Sequence, residues 1–493
     1  MPASLAVAAT AILTLVTTPA AAQPASCHGR RPTIVGTAGH DTLRGTARAD
    51  VIHGLAGDDL IVGRGGDDAV CDGDGDDVVR AGSGRDSLHN GDGDDVLGGG
   101  RDDDTVNVLD AFYGFDAAGS DELRGGAGDD VLFANSQQSD DAYHGGAGDD
   151  RLDLRALTEG AVVDLAAGSI TGAGRASVGG VEDVHGTGYS DEIRGDGAAN
   201  ELFVGEASGG FFGPTYPADP VADVLDGRGG DDLLDGGSGD DAIAGGEGRD
   251  VVRDGLGSDA IATGDGDDFV STGYRCRQPS HDEQCSPPQE AYLGDRIDGG
   301  AGGDTLAGGH GDDTIAAAAG NDFLAGAGGA DTLRGGDGGD VLRGGHGTDA
   351  LDGGTGIDSA DFGDVPAAVT VDLAAATVSG GSTDTIVGIE GAFGSAFDDV
   401  LSGTDAEDRL SGHDGNDVLR GLGGPDDLDG GDGEDEVYGG AGDDSLSGGV
   451  GPRYLGHNQA DGRPDLQEGG PGDDFCWGSA FDELVECEGV VVE

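Results

Sequence analysis

Lysine is absent from this 493-residue chain, and its 25 basic side chains, all Arg, face 98 acidic ones, for a net charge of −73. Aromatic residues make up 4%, with one Trp and one Met. Leu, Ile, Val and Phe together come to about a fifth of the residues, where a highly charged chain borders on disorder. An ordinary globular core of this length is thereby excluded. Nucleic acid and anionic membranes are excluded as partners, because they carry the same sign of charge. No apolar run reaches the ~18 residues that a membrane-spanning helix needs. HExxH and GxSxG are both missing, as is any CxxC pair, so zincin, serine-hydrolase and zinc-thiolate chemistry have no starting point. No enzyme is expected.

Glycine and aspartate fill the space. The chain has 104 glycines, roughly 21% against the usual ~7%. A polymer this acidic either stays expanded or folds by recruiting cations. Residues 5–16 form an apolar run followed by Pro19 and Ala20-Ala21-Ala22. This is the pattern of a signal peptide cut after Ala22, and it implies a secreted, extracellular protein. The six cysteines are an even set in an oxidising context. Proximity favours Cys276 with Cys285 and Cys476 with Cys487, which leaves Cys27 with Cys71.

Aspartate recurs at every ninth residue. Asp41, Asp50, Asp59, Asp68, Asp77, Asp86, Asp95 and Asp104 follow one another without a slip. An aliphatic residue lies two places after each, from Leu43 and Ile52 to Leu97 and Val106. Glycine usually lies two places before, as at Gly57, Gly66, Gly75, Gly84 and Gly93. The register returns at Asp223, Asp232, Asp241, Asp250, Asp259 and Asp268, then at Asp295, Asp304, Asp313, Asp322, Asp331, Asp340, Asp349 and Asp358. A further run is Asp399, Asp408, Asp417, Asp426, Asp435 and Asp444, with short pieces at Asp121 and Asp130 and at Asp141 and Asp150. Such fixed self-similarity marks a solenoid. Mere solubilising disorder would not keep the aliphatic residue in step.

Gly125-Gly126-Ala127-Gly128-Asp129-Asp130-Val131-Leu132 resembles the G-G-x-G-x-D-x-U-x nonapeptide of RTX (haemolysin-type) calcium-binding proteins, and 236–243, 299–306 and 439–446 match in the same way. The resemblance runs from about Gly36 to Leu446. It implies an all-β, parallel β-roll solenoid in which six-residue turns hold Ca²⁺ and three-residue remainders are strands. The in-register aspartates are then the candidate metal ligands, and the glycines supply carbonyls.

Elementary chemistry supports that assignment. Ca²⁺ takes six to eight oxygens at about 2.3–2.6 Å, and glycine turns let carbonyls converge. With two repeats per coil, residues eighteen apart stack at ~4.8 Å. Asp41 then lies above Asp59 and Asp77 on one side, and Asp50 above Asp68 and Asp86 on the other. Carboxylates at that spacing repel by roughly 1 kcal/mol in water and by several at lower dielectric. One aliphatic per repeat returns ~1.5–3 kcal/mol. About thirty divalent ions would bring roughly +60 against −73, so folding is expected to follow metal binding. An EF-hand is excluded at Asp72-Gly73-Asp74-Gly75-Asp76, because Asp77 stands where its Gly belongs and Ser83 where its Glu belongs.

Residues 162–202 align without gaps to 370–410, pairing Val163 with Val371, Glu182 with Glu390 and Asp191 with Asp399. These duplicated segments resemble the family's spacers, expected as extra coils or hairpins that carry little calcium. The expected division is a signal peptide (1–22), a first β-roll block (23–106), short repeats with insertions (107–160) and a spacer (161–202). A second block (203–270, with an aromatic loop at 203–221), a disulfide loop (271–294) and a third block (295–360) follow. A second spacer (361–398), a fourth block (399–448) and a disulfide cap (449–493) complete it. The tail resembles those of actinobacterial-type secreted calcium-binding repeat proteins, with Val490-Val491-Val492 as a last strand.

The leading expectation is a secreted, non-enzymatic calcium-binding protein. The rival is an adhesin or matrix component whose calcium-stiffened array displays loops to a cell-wall or glycan surface, with Phe203, Phe211, Phe212 and Tyr216 as recognition residues; capping of a solenoid end also explains that cluster. Pull-down on cell-wall material decides: deletion of 211–216 should abolish retention if the protein is an adhesin, and unchanged retention removes these aromatics from any such role.

Overall fold

The computed structural model describes residues 26–106, 119–134, 140–172, 174–204, 221–272, 293–381, 383–448, 466–469, 474–478, 483–485, 487 and 489–492. The expected leader, Phe211, Phe212 and Tyr216, and the Cys276–Cys285 pair lie outside these residues.

Each x-aliphatic-x remainder is too short to be anything but a strand, and its alternation leaves one side chain to bury. Leu60–Val62, Ser87–His89 and Leu233–Asp235 each bury their middle residue and leave the outer two partly open. Successive strands belong alternately to two parallel sheets. Ile34–Val35, Val51–Ala56, Ala69–Asp74 and Ser87–His89 begin the first. Thr42–Arg44, Leu60–Val62 and Val78–Ser83 begin the second. The registers Ile52↔Val70↔Leu88 and Leu43↔Ile61↔Val79 place residues eighteen apart side by side, two repeats to a coil. The first sheet reaches 22 strands among the described residues.

The aliphatic residues from both sheets meet in one thin core that runs from Ile52 and Ile61 to Val437 and Leu446. No helix occurs among the described residues, and none is long and apolar enough to cross a membrane.

Insertions leave the register intact. Thr105–Val106 pairs directly with Val131–Phe133 and Phe269–Ser271 with Thr305–Ala307, so the residues between leave one coil and return to the next. A one-residue slip would turn every aliphatic outward, which is why the detours cannot alter the pairing.

The duplicated spacers both fold as antiparallel excursions. Val162–Asp164 pairs with Ser169–Gly172, which pairs with Gly174–Gly179. Val369–Asp372, Thr377–Gly380 and Thr385–Val387 repeat the arrangement. The first sheet passes these hairpins uninterrupted, from Arg151–Asp153 to Asp183–His185 and on to Glu201–Phe203. A bidentate Arg228–Asp164 pair, with N–O distances of 2.9 and 2.7 Å, ties the first hairpin to the coil beyond. It holds the Asp164 carboxyl below its usual pKa.

At the C-terminal end, Phe475–Gly478 pairs with Ser445–Ser447 on one side and with Gly489–Val492 on the other. Disulfides close between Cys27 and Cys71 and between Cys476 and Cys487, as expected.

Because one aliphatic per repeat makes the whole core, Leu342→Ala should lower the stability of the calcium-loaded protein by about 2–5 kcal/mol. Val387→Ala on the exposed side should change it by less than ~0.5 kcal/mol. Chemical denaturation of the two variants measures both.

Candidate metal centre

The turns place the predicted aspartates in two columns, one along each sheet. Asp41, Asp59, Asp77, Asp95, Asp121 and Asp141 begin the column beside the second sheet. Asp223, Asp241, Asp259, Asp295, Asp313, Asp331 and Asp349 continue it, followed by Asp399, Asp417 and Asp435. The other column holds Asp50, Asp68, Asp86, Asp104, Asp130 and Asp150. Asp232, Asp250, Asp268, Asp304, Asp322, Asp340 and Asp358 extend it, as do Asp408, Asp426 and Asp444. All of these except Asp41 are buried.

Each step between these aspartates has the same form: the backbone N–H of one Asp donates to Oδ1 of the Asp one coil further on. Asp59 donates to Asp77 at 2.6 Å and Asp68 to Asp86 at 2.8 Å. Oδ1 is therefore committed to holding the coils together.

Oδ2 is not. In Asp59, Asp68, Asp77, Asp86, Asp95, Asp232, Asp250, Asp304 and Asp340, among others, it is buried and has no hydrogen-bond partner in the protein. In Asp59, Asp68, Asp232, Asp250, Asp304 and Asp340 it points instead at the turn glycine five residues before. A methyl at Gly54 would come within 2.7 Å of Asp59 Oδ2 and would also meet the Asp72 carbonyl of the next coil. At Gly430 it would stand 2.6 Å from Asp435 Oδ2. Carboxylate and carbonyl oxygens thus converge on pockets kept open by glycine.

Neighbouring turns also touch backbone to backbone. Gly75, at φ 132°, would bring a methyl 2.7 Å from the Gly57 carbonyl carbon, and only glycine takes that conformation without penalty. This all-oxygen, hard-donor set fits Ca²⁺ and not a thiophilic metal.

Coil-holding alone does not require charge, because a neutral amide can link coils by donating Nδ2, as Asn200 does to the Glu182 carbonyl at 3.0 Å. Asn200 occupies one level of the second column and itself donates to Asp232 Oδ1 at 2.7 Å. The column is nevertheless acidic almost throughout. Burial, followed by repulsion from neighbouring aspartates, pushes the carboxyls upward: Asp77 to about 6, Asp86 to about 7, and Asp104 and Asp313 to about 8. The arrangement is therefore unfavourable to its own charges until a cation joins it.

Some predicted ligands are provided for differently. Where Thr or Ser replaces glycine four places before the Asp, its amide and hydroxyl bond the carboxylate. Thr37 donates to Asp41 Oδ2 at 2.6 and 2.8 Å, and Thr46 to Asp50 at 2.6 and 2.9 Å. Ser395 caps Asp399 and Thr404 caps Asp408 in the same way. Asn90 Nδ2 donates to Asp121 and the Tyr143 hydroxyl to Asp141. These carboxylates are satisfied by the protein itself.

Other column members escape the nonapeptide count. Asp191, Asp384 and Asp474 are buried and accept the column bond from Ala161, Asp349 and Asp444. Glu182 and Glu390 take the place of Asp above Asp150 and Asp358. Asp191 was within reach, through its alignment with Asp399. The others follow the spacer hairpin or an irregular tail, where the period gives no signal. His310, His346 and His413 stand on repeat positions and are exposed.

The profile of the RTX calcium-binding nonapeptide repeat matches residues 35–70, 72–106, 115–152, 220–252, 244–273, 293–324, 325–360, 393–428 and 420–455, well over half of the chain. The chain belongs to this family. No curated protein matches it significantly.

The raised carboxyl pKa values fix a pH dependence. Ordinary aspartates titrate near 3.9, whereas burial and neighbouring charge raise Asp77 to about 6, Asp86 to about 7 and Asp104 to about 8 in the metal-free columns. Between these limits the folded chain binds more protons than the unfolded one, so metal-free stability falls as pH rises from about 4 to 8. Acidifying the chelated protein to about pH 4 should therefore increase its β circular dichroism signal. Loss of signal on acidification contradicts this account of the columns.

Proposed function

We propose that this is a secreted, non-enzymatic calcium-binding repeat protein whose array folds as its turns take up Ca²⁺. The observation that carries the reading is the pair of buried columns in which Oδ2 after Oδ2 lacks a protein donor while facing a glycine-lined turn. When bound, calcium supplies the positive charge that makes close stacking of the carboxylates favourable. The chain's own part is to present those oxygens, to align the coils through Oδ1 and to keep water from the core.

The two closed disulfides support export, since such bonds persist in oxidising compartments. The Ala-rich leader supports it too. With −73 charges and a core one side chain deep, the metal-free chain has too little apolar burial to offset its repulsion.

Far-UV circular dichroism during a calcium titration of the chelator-treated protein tests the proposal. β signal should be weak at first and rise cooperatively with calcium, with protons released at neutral pH. A full β signal already present in excess chelator rules out calcium-driven folding.

A further inference from the structure

In most repeats the residue five places before each column Asp is glycine. Asp72 stands there before Asp77, and Asp254 before Asp259. Both replacements are deeply buried, Asp72 at 0% and Asp254 at 3% exposure. Each ties Oδ1 down locally, accepting from the N–H of Gly73 or Gly255 at 2.8 Å. Oδ2 of each has no donor, and the same holds for Oδ2 of Asp77, Asp95, Asp241 and Asp259 around them.

Asp72 converges with Asp77 and Asp95, and Asp254 with Asp241 and Asp259; in each trio the ligand atoms lie within 4.8 Å of one another. An ordinary level offers two successive carboxylates to the space between coils. These two levels offer three.

We propose that the Asp72–Asp77–Asp95 and Asp241–Asp254–Asp259 trios are two tight cation sites, distinct from the repetitive sites of the array. The proposal rests on the calcium-binding reading of the turns and adds a hierarchy to it. Affinity for Ca²⁺ rises with the number of charged ligands and with the rigidity of the site. Both trios sit on stacked, buried turns, so a third carboxylate adds charge without adding freedom. Asn90 holds the equivalent place before Asp95, where its Nδ2 donates to Asp121 and its buried Oδ1 brings an oxygen without the charge. In the metal-free chain the third carboxylate has the opposite effect and adds to the repulsion.

Calcium alone, titrated against a competing chromophoric chelator, tests this on the full chain and on the Asp72→Asn/Asp254→Asn double variant. The unaltered chain should show a minor class of about two ions bound roughly tenfold more tightly than the rest. The variant should lose that class and keep the bulk uptake. In excess chelator it should also show more β signal than the unaltered chain. Asp72→Gly/Asp254→Gly, which restores the ordinary repeat residue, should behave in the same way and stands in if the amide variant folds poorly. A single affinity class in the unaltered chain, or a tight class that survives both variants, overturns the two sites while leaving calcium binding by the array standing. No calcium uptake by any of the chains overturns the parent reading as well.

Discussion

Repulsion between like charges, placed on purpose at coil spacing, governs this structure. Each coil brings two carboxylates into line with those of its neighbours and buries them, where their interaction is stronger than in water. Hydrogen bonds through Oδ1 are enough to set the alignment but not to offset the desolvation of so many acids. The core cannot offset it either, because every repeat gives it one aliphatic residue. On the proposed reading, a divalent cation turns the largest destabilising contribution into the largest stabilising one, and the rest of the design keeps the turns open to it. Glycine at left-handed positions, carbonyls from the next coil and the lack of lysine all serve that end.

The same constraint explains what the chain tolerates. The pairing keeps its register across the residues between Val106 and Val131 and between Ser271 and Thr305, since only the paired strands fix the aliphatic residues inward. Loop closure costs grow slowly with length, so detours are cheap, whereas a slip of one residue would empty the core. The spacer hairpins obey this too. They grow from the second sheet while the first continues beneath them, and Glu182 and Glu390, one methylene longer than Asp, span the altered step.

The period of nine made the coil, its two sheets and both columns legible before any coordinates, because each of those features repeats and each repeat carries the same three residue types. What the period could not show depends on single departures from it. Thr37 and Thr46 look like ordinary turn residues in sequence, yet they make Asp41 and Asp50 self-sufficient. Asp72 looked like the failed start of an EF-hand, and its meaning emerges only when Asp77 and Asp95 are seen beside it. Asp384 and Asp474 lie beyond irregular spacing, so counting passes over them. Phe211, Phe212 and Tyr216, conspicuous in sequence, lie outside the described residues.

The hydroxyl-capped turns have a consequence for how such an array reassembles. They fall at the first coil and again at the spacers, at Thr187 over Asp191 and at Ser395 and Thr404 over Asp399 and Asp408. At these levels a serine or threonine does the work asked elsewhere of an ion. Growth of a solenoid is slow to start and quick to extend, because a new coil needs an edge to copy. On the proposed calcium-driven folding, such hydroxyl-held edges would give the chain several starting points at once, so that it would reorder in parallel segments rather than from one end.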